Sequence, residues 1–577
     1  MRRIYSTTSA PMKSCIANFK CHQILLATFS TYLFFSTAAL AVVDPTDILI
    51  ASDGAANDQL GWSVAISGNT AIVGAPLDDD ISGNSGSAYI FLNDGAGNWT
   101  QQQKLTASFI APDDTNQPPD ADALPNLVDD NQRDVQFGYS VAIDRNVAVI
   151  GTPFYDIDSG DPLVIDTLDA GALYVFERVG VTWSVVSKFV LAEPANGDWL
   201  GSAVSVEGNT IVAGALSQSP SGKAYIFFKD VDGAWKQQNA TTENADTNVV
   251  NQIPLLPNNP AIEDWFGQSV AVHGNTIVVG SDGSDNPETG SGSAYVFTRD
   301  VNHNWNIQAK LVPTDAKALA NFGISVDIYN NDIIVGADAA DATAIDDANG
   351  AAYVFNRNFE GGWTQVDKLI ASDGSSHDKF GRSVSISGPL AVTGAWNQAA
   401  NGKQGGSAYL YQKSTDGAWS EVDVIRDSAG SEFDALGFSV AVSSIDGLSD
   451  YWVVSGTPQI LANGNGELQA TGNIANLIDT DSDATTNDTD ADHDNDSIRN
   501  VNDRFPYDPA TFSDLDSDGY SDGVDQFPNN PTESADTDGD GLGNNFDLDD
   551  DGDGLSDLDE IKLGLDALNS LIPENLL

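Results

Sequence analysis

Apolar and polar residues alternate along most of this chain in short runs, the period-two signature of half-buried β-strands. In Ser63-Val64-Ala65-Ile66-Ser67 the alternation is followed by Gly68-Asn69, and Thr70-Ala71-Ile72-Val73 returns. Gly-Asn between apolar runs predicts a two-residue hairpin, because both residue types tolerate positive φ. The same signal stands at Gly208-Asn209 and Gly274-Asn275. A third strand is predicted over Gly86-Ser87-Ala88-Tyr89-Ile90-Phe91, with counterparts at Ala172-Leu173-Tyr174-Val175-Phe176 and Ala294-Tyr295-Val296-Phe297. A fourth opens on tryptophan, at Trp99, Trp183, Trp235, Trp305, Trp363 and Trp419.

These units repeat. A Leu/Phe-Gly step precedes an alternating strand at Gly61, Gly138, Gly201, Gly267, Gly323, Gly381 and Gly437. A second glycine follows at Gly74, Gly151, Gly214, Gly280, Gly336, Gly394 and Gly456, 13 residues later in the first six units and 19 later in the last. Four short antiparallel strands per unit predict an all-β fold, a seven-bladed β-propeller of four-stranded blades over residues 42–477. The recurring glycines, tyrosines and tryptophans read as turn and core positions. The seventh unit lacks a Trp-led fourth strand, and its replacement lies at the other end. Leu49-Ile50-Ala51-Ser52-Asp53-Gly54 repeats Leu369-Ile370-Ala371-Ser372-Asp373-Gly374 letter for letter. An N-terminal strand over 47–52 is therefore expected to close blade seven and remove two raw sheet edges.

Phe-Gly-x-Ser-Val followed by Gly-Ala-Pro (Gly74-Ala75-Pro76) or Gly-Thr-Pro (Gly151-Thr152-Pro153) resembles the FG-GAP repeat of integrin α-subunit propellers, in its bacterial variety. The resemblance implies a ligand-binding propeller. Integrin blades often carry a D-x-D-x-D-G calcium loop in a hairpin that here reads Ser67-Gly68-Asn69 or Glu207-Gly208-Asn209. Calcium is therefore not expected in these blades.

Charge separates three segments. Residues 1–41 hold four basic residues, no acid, an apolar run from Ile24 to Phe35 and the small-residue site Ala39-Leu40-Ala41. That order predicts a signal peptide cleaved after Ala41, with Met12 an alternative start, and a secreted or cell-surface protein. Both cysteines, Cys15 and Cys21, lie in this leader, ahead of its apolar run, so the exported chain would have no disulfide and no lipid anchor. The whole chain carries a formal charge of −59. Such a field argues against a nucleic-acid partner or an anionic membrane, and no membrane insertion is expected after leader cleavage.

Residues 478–577 concentrate 29 acids against three basic residues. A 22-residue period starts at Asp492, Asp514 and Asp536. The middle copy places Asp514, Asp516, Asp518, Asp522 and Asp525 at positions 1, 3, 5, 9 and 12, with Gly519 at the sharp turn. Calcium takes six to eight oxygens, and this spacing wraps carboxylates around one centre. The first copy offers Asp492, Asp494, Asp496, Asn500 and Asp503; the third offers Asp536, Asp538, Asp540, Asn544 and Asp547. A further loop follows at Asp549, Asp551, Asp553, Asp557 and Glu560. The stretch resembles thrombospondin type 3 repeats, an irregular Asp-rich tail in which calcium ions replace a hydrophobic core.

No zinc-binding histidine spacing, nucleophile elbow or phosphate loop occurs. Acid loops such as Asp78-Asp79-Asp80 read as solvated surface rather than a hydrolytic dyad. The leading expectation is a calcium-binding, non-enzymatic adhesion or matrix protein whose propeller meets an extracellular protein or glycan. Its rivals are a calcium-dependent polysaccharide lyase or hydrolase and a structural surface-layer component. An aromatic, Asn-rich propeller face favours binding; clustered Lys, Arg, His or Tyr at one mouth favours catalysis.

Overall fold

The computed structural model describes residues 42–471, apart from 44–46, 108–133, 158–166, 239–253, 341–348, 427–433, 445–450, 459–466 and several gaps of one to three residues. Beyond 471 it describes only Gln526 and Thr537. The leader and the Asp-rich tail thus lie outside the described residues.

Each repeat folds into its own antiparallel sheet, with strands in chain order across it. The first comprises Ser63–Ser67, Thr70–Ala75, Ser87–Asn93 and Trp99–Leu105. Against the expected seven four-stranded blades, Ala399–Ala400 pairs with Lys403–Gln404 in a separate two-stranded ribbon, six sheets have four strands and one has five. The exception follows Phe380: to Phe380–Ser387, Leu390–Ala395, Ser407–Lys413 and Trp419–Ile425 it adds Val42–Val43, paired in parallel on the outer edge. The last repeat supplies Ser439–Ser444, Tyr451–Thr457 and Glu467–Thr471. Its fourth strand is Asp47–Leu49, antiparallel to Glu467–Thr471 and three residues shorter than the expected 47–52.

In the first six repeats the alternation of the third strand aims two aromatic rings at one side. The phenylalanine of the Phe-Gly step meets both edge-on. Phe137 lies 5.3 Å from Tyr174 and 6.2 Å from Phe176, and Phe322 and Phe380 repeat the arrangement with Tyr353/Phe355 and Tyr409/Tyr411. These phenylalanines are fully buried. Each contributes about 1.5–3 kcal/mol by leaving water.

The paired glycines do more than turn the chain. The first of each pair takes φ between +84° and +97°. The second packs its Cα against the carbonyl of the next repeat's first glycine. A Cβ on Gly74 would stand 1.9 Å from Gly138 O, and one on Gly336 2.0 Å from Gly381 O. The contact recurs from sheet to sheet until it closes the ring, where a Cβ on Gly456 would stand 1.9 Å from Gly61 O. Serines two residues past the Phe-Gly glycine fasten the seam: Ser63, Ser140, Ser269, Ser325 and Ser439 each donate to a neighbouring glycine carbonyl at 2.8–2.9 Å.

The innermost strands would still expose an open row of N–H groups. Side chains from the preceding sheet accept them. Arg145 N donates to Ser67 Oγ, Gly208 N to Asp144, Val272 N to Ser205, Ile386 N to Asp327, Val442 N to Ser385 and Gly68 N to Ser443. The polar half of the strand alternation is thus spent between sheets rather than on solvent.

Gly336→Ala should therefore cost about 3 kcal/mol or more, since the Gly381 backbone on one side cannot yield and the Ser325 hydroxyl on the other is held in the seam. Gly417→Ala, with φ +88° but open space around its Cα, should cost only about 1 kcal/mol. Urea denaturation of the two variants checks the ranking.

Candidate functional site

The loop entering each inner strand has the pattern Asp-x-Leu/Phe-Gly in five repeats, at Asp58, Asp198, Asp264, Asp378 and Asp434. Four of these buried carboxylates accept the backbone N–H three residues back, from Ala55, Ala195, Ala261 and Ser375, at 2.6–2.7 Å. Burial raises the pKa of Asp198, Asp264 and Asp378, against the lowering effect of those hydrogen bonds. The next residue lies in the left-handed region in all seven repeats, with or without the aspartate: Gln59, Gln136, Trp199, Trp265, Asn321, Lys379 and Ala435 have φ of +52° to +63°. Non-glycine residues held there cost about 1–2 kcal/mol each. Such strain concentrates at ligand-contacting surfaces.

The residue directly after each Phe/Leu-Gly glycine starts the inner strand at the same end of the ring. Trp62, Tyr139, Arg382 and Phe438 occupy this position. Trp396 and Phe154 come from the loops after the second strands. Together with Trp199 they form one continuous arc across five repeats. Trp396 lies 6.2 Å from Phe438, Phe438 4.8 Å from Trp62, Trp62 5.6 Å from Tyr139, Tyr139 5.8 Å from Phe154, and Phe154 5.3 Å from Trp199. All six rings are half-buried, which leaves faces for a ligand. Offset and tilted contacts at these spacings stabilise the arc itself.

The remaining part of the mouth is polar. Arg382 stacks over Phe438 at 5.6 Å, and its guanidinium makes no ion pair or side-chain hydrogen bond among the described residues. Asp282 and Asp338 follow the second-strand glycines of the fourth and fifth repeats, where earlier repeats carry Pro76 and Pro153. Asp338 accepts from Asn321 Nδ2 at 2.9 Å. Asp282 is buried with Oδ1 unpartnered. Burial pushes its carboxyl up to about 7; the Asp338 charge adds to the rise, while backbone hydrogen bonds and Arg382 oppose it. Trp265, 45% exposed, stands over Gly283 beside it. Burial also raises the Tyr139 pKa, opposed by Arg382 across the mouth. This arrangement can stack a flat apolar face and orient polar groups around it.

The calcium residues expected from sequence, Asp492 through Glu560, lie outside the described residues. Among the described residues no cluster of three His, Cys, Asp or Glu side chains could hold a metal. Asp78, expected on the solvated surface, is buried instead: Tyr89 donates to it at 2.6 Å and Lys104 pairs with it at 2.9 Å. His273 is bound to Glu207 and Asn330 and stacks on Tyr329. The mouth escaped sequence reading because its members sit one or two per repeat. The available signal was the aromatic residue after the glycine at Trp62, Tyr139 and Phe438.

The sequence model of the FG-GAP repeat matches residues 46–91, 128–176, 183–227, 250–297, 305–355 and 363–411. Six repeats are matched, and the unit containing Gly437 and Gly456 is outside them. No curated protein matches the chain.

Asp282 gives the mouth a pH signature. Its native pKa, about 7, exceeds the unfolded value of roughly 3.9, so the folded state binds the proton more tightly. The stabilisation is fully present below about pH 4 and is lost as pH rises through about 7. In denaturant titrations the parent should lose stability relative to Asp282→Asn between pH 4 and pH 7.5. A constant difference across that range would remove Asp282 from the account.

Proposed function

We propose that this FG-GAP β-propeller protein is a secreted, calcium-binding recognition protein whose propeller mouth takes an extracellular glycan or a protein ligand. An FG-GAP propeller is in general a ligand-binding platform. The observation that carries the reading is the arc from Trp396 to Trp199. Six half-buried rings in contact form a surface suited to stacking on the apolar face of a sugar ring or a partner side chain. Arg382 and Asp338 then supply donor and acceptor to orient it. The balance of the mouth, seven aromatic rings with Trp265 against Arg382 and Lys379, supports binding over catalysis as the role.

A glycan and protein array probed with the full chain tests this. Glycan-bearing spots are the expected hits, and Trp62→Ala or Trp199→Ala should weaken them roughly tenfold or more, about 1.4 kcal/mol. Binding that survives both substitutions would place the ligand elsewhere.

Calcium belongs to the tail in this proposal. Repulsion among 29 acids opposes compaction of residues 478–577 unless ions neutralise and crosslink them. Extracellular sites of this kind bind at about 10⁻⁴–10⁻³ M. Limited proteolysis of the full chain should cut within 478–577 in chelator and be suppressed by millimolar calcium. Asp518→Ala should restore cutting near its loop, while Asp508→Ala, outside the ligand positions, should not. Identical cleavage with and without calcium would leave an acidic linker in place of a metal-ordered tail.

A further inference from the structure

The strand next to the outer edge of the five-stranded sheet carries an acceptor without a donor among the described residues. Asp423 is 1% exposed; its Oδ1 accepts Val424 N at 2.7 Å, and its Oδ2 has no partner among the described residues. Burial raises its pKa to about 6, and the nearby Glu421 charge adds to that rise. Residues at the same place in other repeats, four past the strand-opening tryptophan, show what belongs there. Gln103 Oε1 accepts Trp183 N at 2.9 Å, and Asp367 Oδ2 accepts Trp419 N at 3.1 Å. Each therefore receives a backbone N–H from the first two residues of the next sheet's outer strand. Asp367 even spends its other oxygen on Lys368 N, as Asp423 does on Val424 N.

For Asp423 the neighbouring segment is the N-terminal one. By the shared Leu-Ile-Ala-Ser-Asp-Gly motif Val43 aligns with Trp363, but Val42–Val43 pairs in parallel on Asp423's own strand instead of extending the next sheet, which sets Val42 beside it. Val42 pairs with Val424, one residue from Asp423, across a strand spacing of about 4.8 Å. The predicted leader ends at Ala41, so cleavage there would leave the whole outer strand and start the chain beside this carboxylate.

We propose that the α-ammonium freed at Val42 by leader cleavage is the missing partner of Asp423 Oδ2, so that processing completes the edge of the propeller. The proposal rests on the leader reading given above. An ammonium brings a full charge and three donors, and a buried carboxylate without a partner is costly. The retained leader offers Asp423 no charge at Val42, because that nitrogen is then a peptide amide.

The test uses the full chain secreted with its own leader. N-terminal sequencing first establishes whether the chain starts at Val42; a start elsewhere overturns the leader reading and this proposal together. With Val42 as terminus, its α-amine should react with an amine-specific label roughly tenfold or more slowly than the same amine in the Asp423→Asn variant. Asp423→Asn should also lower the melting temperature of the processed chain more than that of a chain carrying two extra alanines before Val42. Equal labelling in parent and variant, with equal melting losses in both chain forms, would overturn the ion pair while leaving leader cleavage intact.

Discussion

The close approach of one glycine Cα to the next repeat's glycine carbonyl sets the spacing on which everything else in this ring depends. At these positions a Cβ would fall about 2 Å from backbone oxygen, well inside any tolerated contact. Neighbouring inner strands are therefore held at a separation only glycine permits. That separation lets Ser67, Asp144, Ser205, Asp327, Ser385 and Ser443 reach the N–H groups of the adjoining strand. It also brings the residues after the glycines near enough for Phe438, Trp62 and Tyr139 to touch across three repeats. The seam and the mouth are consequences of one contact repeated.

Closure then has to come from ordinary noncovalent chemistry, because both cysteines precede residue 22. The last repeat uses Gly456 against Gly61, Ser439 to the Gly61 carbonyl, and Ser443 to Gly68 N. Asp47–Leu49 joins the far edge of the same sheet. The first and last repeats are thereby joined at the inner edge of one sheet and the N-terminal strand at its outer edge, and Trp99 packs edge-on against Trp452 at 5.4 Å. A chain opened at either rim loses both locks at once, since each presents a bare strand to water. Ring closure among the described repeats rests on these noncovalent contacts alone.

The strands and their order were legible in the sequence because period-two alternation and Gly-Asn turns are local signals, and the glycine offset of 13 residues repeats six times. What glycine does was not legible: it read as a turn residue, whereas the constraint on Gly74 comes from Gly138 in the next repeat. Asp78 misled for the same reason. Three consecutive aspartates look solvated until Lys104 and Tyr89 are folded over the first of them. The fifth strand at Val42–Val43 was hidden because parallel pairing at an outer edge leaves no repeat signature. The mouth needed all of these at once, since its rings are brought together from five repeats.

The formal charge of −59 has to be read against that architecture. Much of the propeller's share is not free field but hydrogen-bond acceptor. Asp58, Asp198, Asp264 and Asp378 each hold a loop N–H, and Asp327 takes those of Ile386 and Ile328 besides the Ser385 hydroxyl. Burial keeps several of them easier to protonate than surface acids, with Asp327 at about 6 and Asp282 at about 7. The mouth accordingly presents less negative charge near neutral pH than its residue count implies, and Arg382 stands there without an ion-pair partner among the described residues. Long-range repulsion of polyanions comes chiefly from the remaining surface acids and from the 29 acids after residue 477. Close-range selection at the mouth then falls to ring stacking and directional hydrogen bonds. A ligand without strong net charge satisfies both ranges, as the hydroxyl-rich glycan proposed above would.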